Sequence, residues 1–242
     1  PDESLLAFTN AVDMGIQVLE VDIHRTRDGV LVINHDETIN RLTDGSGLIR
    51  EMSWLELQQV DGAYNWSPDG MTYPYRGKGV KILPLTAIFD SFPQQVYDIE
   101  IKQHDPPLEN DLCDLLRQYG IASDQVIVAS FSDETLTRFQ HTCPEVATSL
   151  PVNKGTILYL LSRVGLERLL ALDAVVAQLP RSFSTKLGQL ELDRRYINAF
   201  AKGDRQVWVW TVNDSIEMRR MLNMGAHGII TDRPGVLMDF VQ

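Results

Sequence analysis

Glu20 and Asp22 stand two residues apart in the run LEVDIHRTRDGVLVINHD, residues 19–36. Side chains alternate between faces along a strand. Both carboxylates therefore share one face, with Leu19, Val21 and Ile23 on the other. Two anions side by side are costly unless a cation joins them, and hard oxygen ligands suit Mg²⁺ or Ca²⁺. The competing reading of Glu-x-Asp is a solvated strand edge. Asp28-Gly29 then makes a turn, residues 30–33 form a second strand, and His35-Asp36 ends it. That turn is too short for a crossover helix, so the two strands pair as a hairpin. A hairpin folds His35 back over the carboxylates, which sets a titratable imidazole beside them. His24, as the neighbour of Asp22, is expected to point away.

A second strand carries the same kind of pattern. In VYDIEIK, residues 96–102, Asp98, Glu100 and Lys102 lie on one face and Tyr97, Ile99 and Ile101 on the other. Glu100 is a candidate third oxygen ligand. Lys102 is a candidate point charge for a phosphate oxygen, against the plainer reading of a salt bridge along the strand face.

These residues need elements to hold them. Leu5, Leu6, Phe8, Ala11, Val12 and Ile16 recur at helical spacing, with Ser4 as the cap and Gly15 near the end. Short helices are expected over 54–60 and 84–92. The Gly-, Tyr- and Pro-rich excursion between them, about 61–82, reads either as a loop at the substrate mouth or as a packed surface loop. From there helix and strand alternate: helices over 107–119, 133–141, 156–172, 190–202, 214–224 and 235–240, and strands over 126–131, 146–150, 174–179, 207–212 and 228–231. Val- and Ile-rich strands separated by helices imply a buried parallel sheet. Leaving out the hairpin strand, seven parallel strands are expected, one short of a closed (β/α)₈ TIM barrel. The first helix also lacks a strand before it, so the expectation is a single TIM-barrel domain over 1–242 whose first strand is missing from the chain. In such a barrel functional side chains gather at the C-terminal strand ends, where Glu20, Asp22, Glu100, Lys102, Ser130, Trp210 and Asp232 all fall. Trp210 is a candidate to stack on a substrate alcohol, with a core tryptophan as the alternative.

Composition narrows the partners. A formal net charge of −11 argues against nucleic acid, which wants a basic patch. No stretch has the apolar length of a membrane span, so an anchor is left only to a segment upstream of Pro1, and the compartment stays open between cytoplasmic and membrane-anchored. Two cysteines in 242 residues are too few for a disulfide framework. Cys113, in an apolar helical pattern, is expected to be a buried small residue. His104 and Asp105, close after Lys102, read as a solvated loop, with a place at the site mouth as the alternative, and His227 is expected at the surface.

PDESLLAF (1–8), LEVDIHRTRDG, VINHD, IEIK (99–102), WTVN (210–213) and GIITDRP (228–234) together resemble the glycerophosphodiester phosphodiesterase family. Its ordered pattern is HRG, PENT-L-x-AF, E-x-D, T-x-DG, HD, E-x-K and WTVN, and all but the first appear here in order. The resemblance implies a TIM barrel of the PLC-like phosphodiesterase type and metal-dependent hydrolysis of a glycerophosphodiester to glycerol 3-phosphate and an alcohol. It implies Glu20, Asp22 and Glu100 as ligands of a divalent cation, His35 as one of two catalytic histidines and Lys102 as the phosphate-side lysine. The other histidine belongs to HRG and has no counterpart here. Asp2, Glu3 and Ser4 stand where the family has Glu, Asn and Thr, and the acidic Glu3 is expected to alter the local charge. The aromatic excursion and IEIKQ resemble the branch acting on lysophospholipids, which makes lysophospholipase D-type hydrolysis the alternative. A non-catalytic ligand-binding barrel is the reading if HRG is absent altogether.

Overall fold

The computed structural model describes residues 1–185 and 188–241 and divides them into two compact units. The first unit spans residues 1–130 and 134–146, and the second 131–133 and 147–242.

The first unit opens with α1 (Leu5–Asp13), whose Ser4 side chain accepts a hydrogen bond from the Ala7 amide as the expected cap. Next come β1 (Val18–Arg25), β2 (Leu31–Ile33), α2 (Trp54–Leu57), β3 (Leu83–Pro84), α3 (Leu85–Ser91), β4 (Val96–Ile101), α4 (Glu109–Tyr119), β5 (Val126–Ala129) and α5 (Asp133–Thr142). Its sheet runs β3-β2-β1-β4-β5. β1 and β2 pair antiparallel, as the short turn required, while β1, β4 and β5 are parallel. The inner faces of these strands, including Val21, Ile23, Tyr97, Ile99, Ile101 and Val128, are fully buried against the helices. That apolar face is the driving force that holds β1 and β4 together.

The excursion between α2 and β3 has no regular element of its own. Its ends meet: Gly62 N–H donates to the Val80 carbonyl at 2.8 Å, and the Asp61 carboxylate accepts from Gly77 N–H at 2.6 Å. A Cβ on Gly62 would stand 2.9 Å from the Lys81 carbonyl carbon, so only glycine lets the two ends close this tightly.

Cys113 and Cys143 form a disulfide, a single bond that the reading of two cysteines as too few for a framework left out. Both are fully buried, as periodicity implied for Cys113. The pairing was hidden because 30 residues separate them, and helical spacing says nothing about where α4 meets the end of α5.

The second unit holds β6 (Ala147–Thr148), α6 (Val152–Val164), β7 (Val176–Pro180), β8 (Ser182–Thr185), β9 (Gly188–Glu191), α7 (Arg194–Phe200), β10 (Gln206–Trp210), α8 (Ser215–Met224), β11 (Gly228–Ile229) and α9 (Pro234–Val241). β7, β10 and β11 make a parallel sheet in the order β11-β10-β7. Two helices differ from expectation. α6 stops at Gly165, which adopts the left-handed conformation (φ 76°) of a C-terminal cap, so the pattern to 172 was not one helix. The expected helix over 190–202 begins only at Arg194, where the Asp193 side chain accepts from Tyr196 N–H; Leu190 instead belongs to the β8–β9 hairpin. The α/β alternation therefore stands, and neither sheet closes into a barrel by itself. Among the described residues no helix is long and apolar enough to cross a membrane.

Candidate active site

The parallel register of β1 and β4 sets Asp22 beside Glu100 and Glu20 beside Asp98. Neighbouring parallel strands in register present the same face, so one surface of the sheet carries four carboxylates back to back with the apolar core. Oxygen atoms of Glu20, Asp22 and Glu100 come within 4.8 Å of one another. Lys102 reaches over them from the end of β4, its Nζ lying 3.0 Å from Asp22 Oδ1 and 2.8 Å from Glu100 Oε1.

The electrostatics follow from this crowding. Burial, then the charges of Asp22, Asp98, Glu3 and Glu100, push the Glu20 carboxyl well above its ordinary range. Burial likewise raises Glu100 against the pull of Lys102, and Asp22 adds to the rise. Burial alone would lower Lys102, but Asp22 and Glu100 outweigh it and hold the ammonium charged. Three carboxylates against one ammonium leave a formal charge of about −2. A hard divalent cation would cancel it with the oxygen ligands it prefers, so these residues fit such an ion.

His35 follows β2 at the open side, with 58 % of its side chain exposed. Its Nδ1 is 2.8 Å from Asp36 Oδ1, while Asp36 Oδ2 accepts from Arg41 Nε at 2.6 Å. Arg41 reaches on to Asp2 Oδ2 at 3.4 Å, and Asp2 Oδ1 accepts from Trp66 Nε1 at 3.1 Å. A carboxylate on Nδ1 fixes the ring and leaves Nε2 to exchange a proton. Although partial burial opposes it, the hydrogen bonds from His35 and Arg41 hold Asp36 below its ordinary range, so it stays an anion.

One residue departs from the sequence reading and another goes further than it. His24 was expected to face away, yet it is two residues from Asp22 and the same alternation puts it on the carboxylate face. It is 3 % exposed, its Nε2 stands 3.5 Å from the His35 carbonyl oxygen, and burial lowers its pKa. It lines a pocket with Lys102, Gln103, His104 and Asp105, the last two being exposed residues of an irregular segment, as a solvated loop implies. Glu3 enters the cluster itself. One of its oxygens accepts from Asp22 N–H at 3.3 Å and the other from His35 N–H at 2.6 Å. Burial and the Asp22 charge push its carboxyl well up. The only sequence signal for Glu3 was its acidity at a position where the resembled family has Asn.

The remaining candidates each have contacts of their own. Ser130 Oγ donates to the Ile101 carbonyl at 2.8 Å. In the second unit Trp210 ends β10 and packs edge-on against Phe131, ring centroids 5.4 Å apart. Asp232 accepts from Asn213 Nδ2 at 2.6 Å in an exposed turn. His227 is exposed as expected, and its Nδ1 accepts from Val207 N–H at 3.2 Å.

Comparison with known proteins bears on this arrangement. The chain is 25 % identical over 247 residues to a glycerophosphodiester phosphodiesterase of Caldanaerobacter subterraneus subsp. tengcongensis, covering 100 % of this chain and 93 % of that protein. It is 24 % identical over 260 residues to a human lysophospholipase D, covering 100 % and 82 %. The fold matches that of an Oleispira antarctica phosphodiesterase solved in complex with the product sn-glycerol-3-phosphate, with a TM-score of 0.76, 22 % identity and coverage of 99 % and 90 %. The model of the glycerophosphoryl diester phosphodiesterase family matches residues 1–236, and the chain belongs to that family.

Proposed function

We propose that this chain hydrolyses glycerophosphodiesters to glycerol 3-phosphate and an alcohol, with a divalent cation of the Mg²⁺ or Ca²⁺ type held by Glu20, Asp22 and Glu100. The observation that carries the reading is the convergence of those three carboxylates with Lys102 on one sheet face, beside an imidazole oriented by Asp36. The cation, when bound, neutralises charge on the phosphate oxygens. The Lys102 ammonium would do the same for a non-bridging oxygen. His35 Nε2 moves a proton at the attacking water or at the departing alkoxide, one of the two transfers the reaction needs. Water adds to phosphorus, the P–O bond to the alcohol breaks, and the alcohol leaves protonated. The strand–helix alternation of both units supports a (β/α)₈ barrel of the PLC-like phosphodiesterase type as the scaffold.

The test is release of glycerol 3-phosphate from glycerophosphocholine with Mg²⁺, with Ca²⁺ and with chelator. Release that depends on the cation and is lost in Glu20→Gln is the expected result. Cation-independent release, or none from any glycerophosphodiester tried, rejects the proposal. A second reading, hydrolysis of lysophospholipids, is favoured by the aromatic excursion. There Trp66 and Tyr75 pack edge to face at 5.3 Å, and Arg76 sits over Tyr64 and Tyr73 at 4.2 and 4.0 Å. Lysophosphatidate released from lysophosphatidylcholine would select it.

A further inference from the structure

Glu3 is buried among the carboxylates without an obvious part in the chemistry, and its backbone is unusual. Its φ of 50° is the one positive value at a non-glycine among the described residues. A long, unbranched acidic side chain does not adopt that conformation freely. What the conformation achieves is visible in its contacts. The two carboxylate oxygens take separate backbone amides, Asp22 N–H in β1 at 3.3 Å and His35 N–H beyond β2 at 2.6 Å. No ladder bond of the β1–β2 hairpin reaches His35, because the registered pairs end at Ile23 and Ile33, and the Asn34 amide alone continues to the Asp22 carbonyl. The segment bearing the imidazole is thus tied back to the carboxylate strand by a side chain from outside the hairpin. Of the two bonds, the one from His35 N–H is short, as an amide donating to a carboxylate can be, and the one from Asp22 N–H is longer.

We propose that Glu3 is the positioning residue of this site: by bridging the Asp22 and His35 amides it sets the separation between the cation-binding carboxylates and the proton-transferring imidazole. The proposal rests on the function proposed above. Both Glu3 oxygens accept from backbone amides, which gives the side chain a bridging role. It acts on His35 through the main chain, while Asp36 orients the ring through Nδ1.

The test compares Glu3→Ala and Glu3→Gln with the wild-type chain. The first readout needs no substrate: the amide resonances of Asp22 and His35 in ¹H–¹⁵N spectra. The His35 amide proton should lie downfield in the wild type, move upfield in Glu3→Ala, and move only partway in Glu3→Gln, which keeps one acceptor and nearly the same volume. The second readout is kinetic: kcat for glycerophosphocholine should fall about ten- to a hundredfold in Glu3→Ala with KM within about threefold, the cost of a misplaced group, and Glu3→Gln should recover part of it. The third is cation affinity by calorimetry, which should fall less than in Glu20→Gln. An unmoved His35 amide in Glu3→Ala overturns the proposal whether or not the wild type turns over. So does wild-type kcat once the amide bond is lost, or a cation affinity reduced as far as in Glu20→Gln. A wild type inactive on every phosphodiester, with the His35 amide still moved by Glu3→Ala, rejects the proposed function while the positioning contact stands. If Glu3→Ala does not fold, the Glu3→Gln amide shift and kcat decide alone, and wild-type values for both overturn it.

Discussion

Replacing Lys102 by methionine isolates the charge balance of the site. The ammonium lies 3.0 Å from Asp22 Oδ1 and 2.8 Å from Glu100 Oε1. At an effective dielectric near 20, each contact is worth roughly 5–6 kcal/mol of gross Coulomb energy. Desolvation of the lysine and the two carboxylates returns most of that, and the lysine side chain remains 19 % exposed, which lets water screen the pair. A net loss of about 2–3 kcal/mol is therefore expected for Lys102→Met in chelator, below the roughly 3–5 kcal/mol of a fully buried broken pair. In a chain of this size that is a fall in Tm of about 4–12 °C. The added cation should then restore more stability to the variant than to the wild type, because it meets carboxylates that have lost the ammonium beside them. Thermal melts of both proteins, with chelator and with a Mg²⁺ or Ca²⁺ series, measure this directly. An unchanged Tm in chelator would show that the ammonium does not compensate Asp22 and Glu100. Equal cation shifts in both proteins would show that the cation binds elsewhere, and the assignment of Glu20, Asp22 and Glu100 would go with it.

Other outcomes follow from the same contacts. Asp36→Asn should leave KM within about threefold and lower kcat by about ten- to a hundredfold, because the ring loses the anion that orients it; steady-state kinetics read the split. Cys113→Ser with Cys143→Ser should destabilise the first unit by about 3–4 kcal/mol on the chain-entropy argument for a closed loop of 30 residues, seen as a lower urea midpoint. Without cation, stability should fall as pH rises. Glu20 and Glu3 have folded pKa values raised above the ordinary 4.5, so between 4.5 and the folded values the native state holds more protons than the unfolded chain. Their penalty is absent below that window and complete above it. Urea midpoints in chelator at about pH 5 and 7 check the sign, and a saturating divalent cation should shrink the difference.

Much of the site was legible because strand alternation is a strict local rule. Glu20 with Asp22, and Asp98 with Glu100 and Lys102, were placed on common faces from spacing alone, and the hairpin followed from the length of the Asp28-Gly29 connection. The rule was sound even where its application failed, since His24 obeys the same period of two that placed Asp22. Helix ends were harder to read. Apolar periodicity ran past Gly165 and before Arg194, yet a left-handed glycine and an aspartate cap decided the boundaries. Such ends are set by single residues whose capping role shows only when the backbone around them is known.

Longer-range contacts were invisible for a different reason. The Cys113–Cys143 bond, the Arg41 bridge from Asp36 to Asp2, and the Glu3 span to Asp22 and His35 join residues whose separation carries no period. Ligand positions on neighbouring strands are fixed by the register of a hydrogen-bonded ladder, so they tolerate changes in the surrounding sequence. His35 lies beyond its ladder and is held by a carboxylate 32 residues away in sequence. In the proposed reaction, the placement of the imidazole then depends on a residue outside the set proposed to carry the chemistry. The unusual backbone of Glu3 is consistent with that demand: conformational strain persists where the surrounding contacts over-determine it. Here those contacts are the amides of Asp22 and His35.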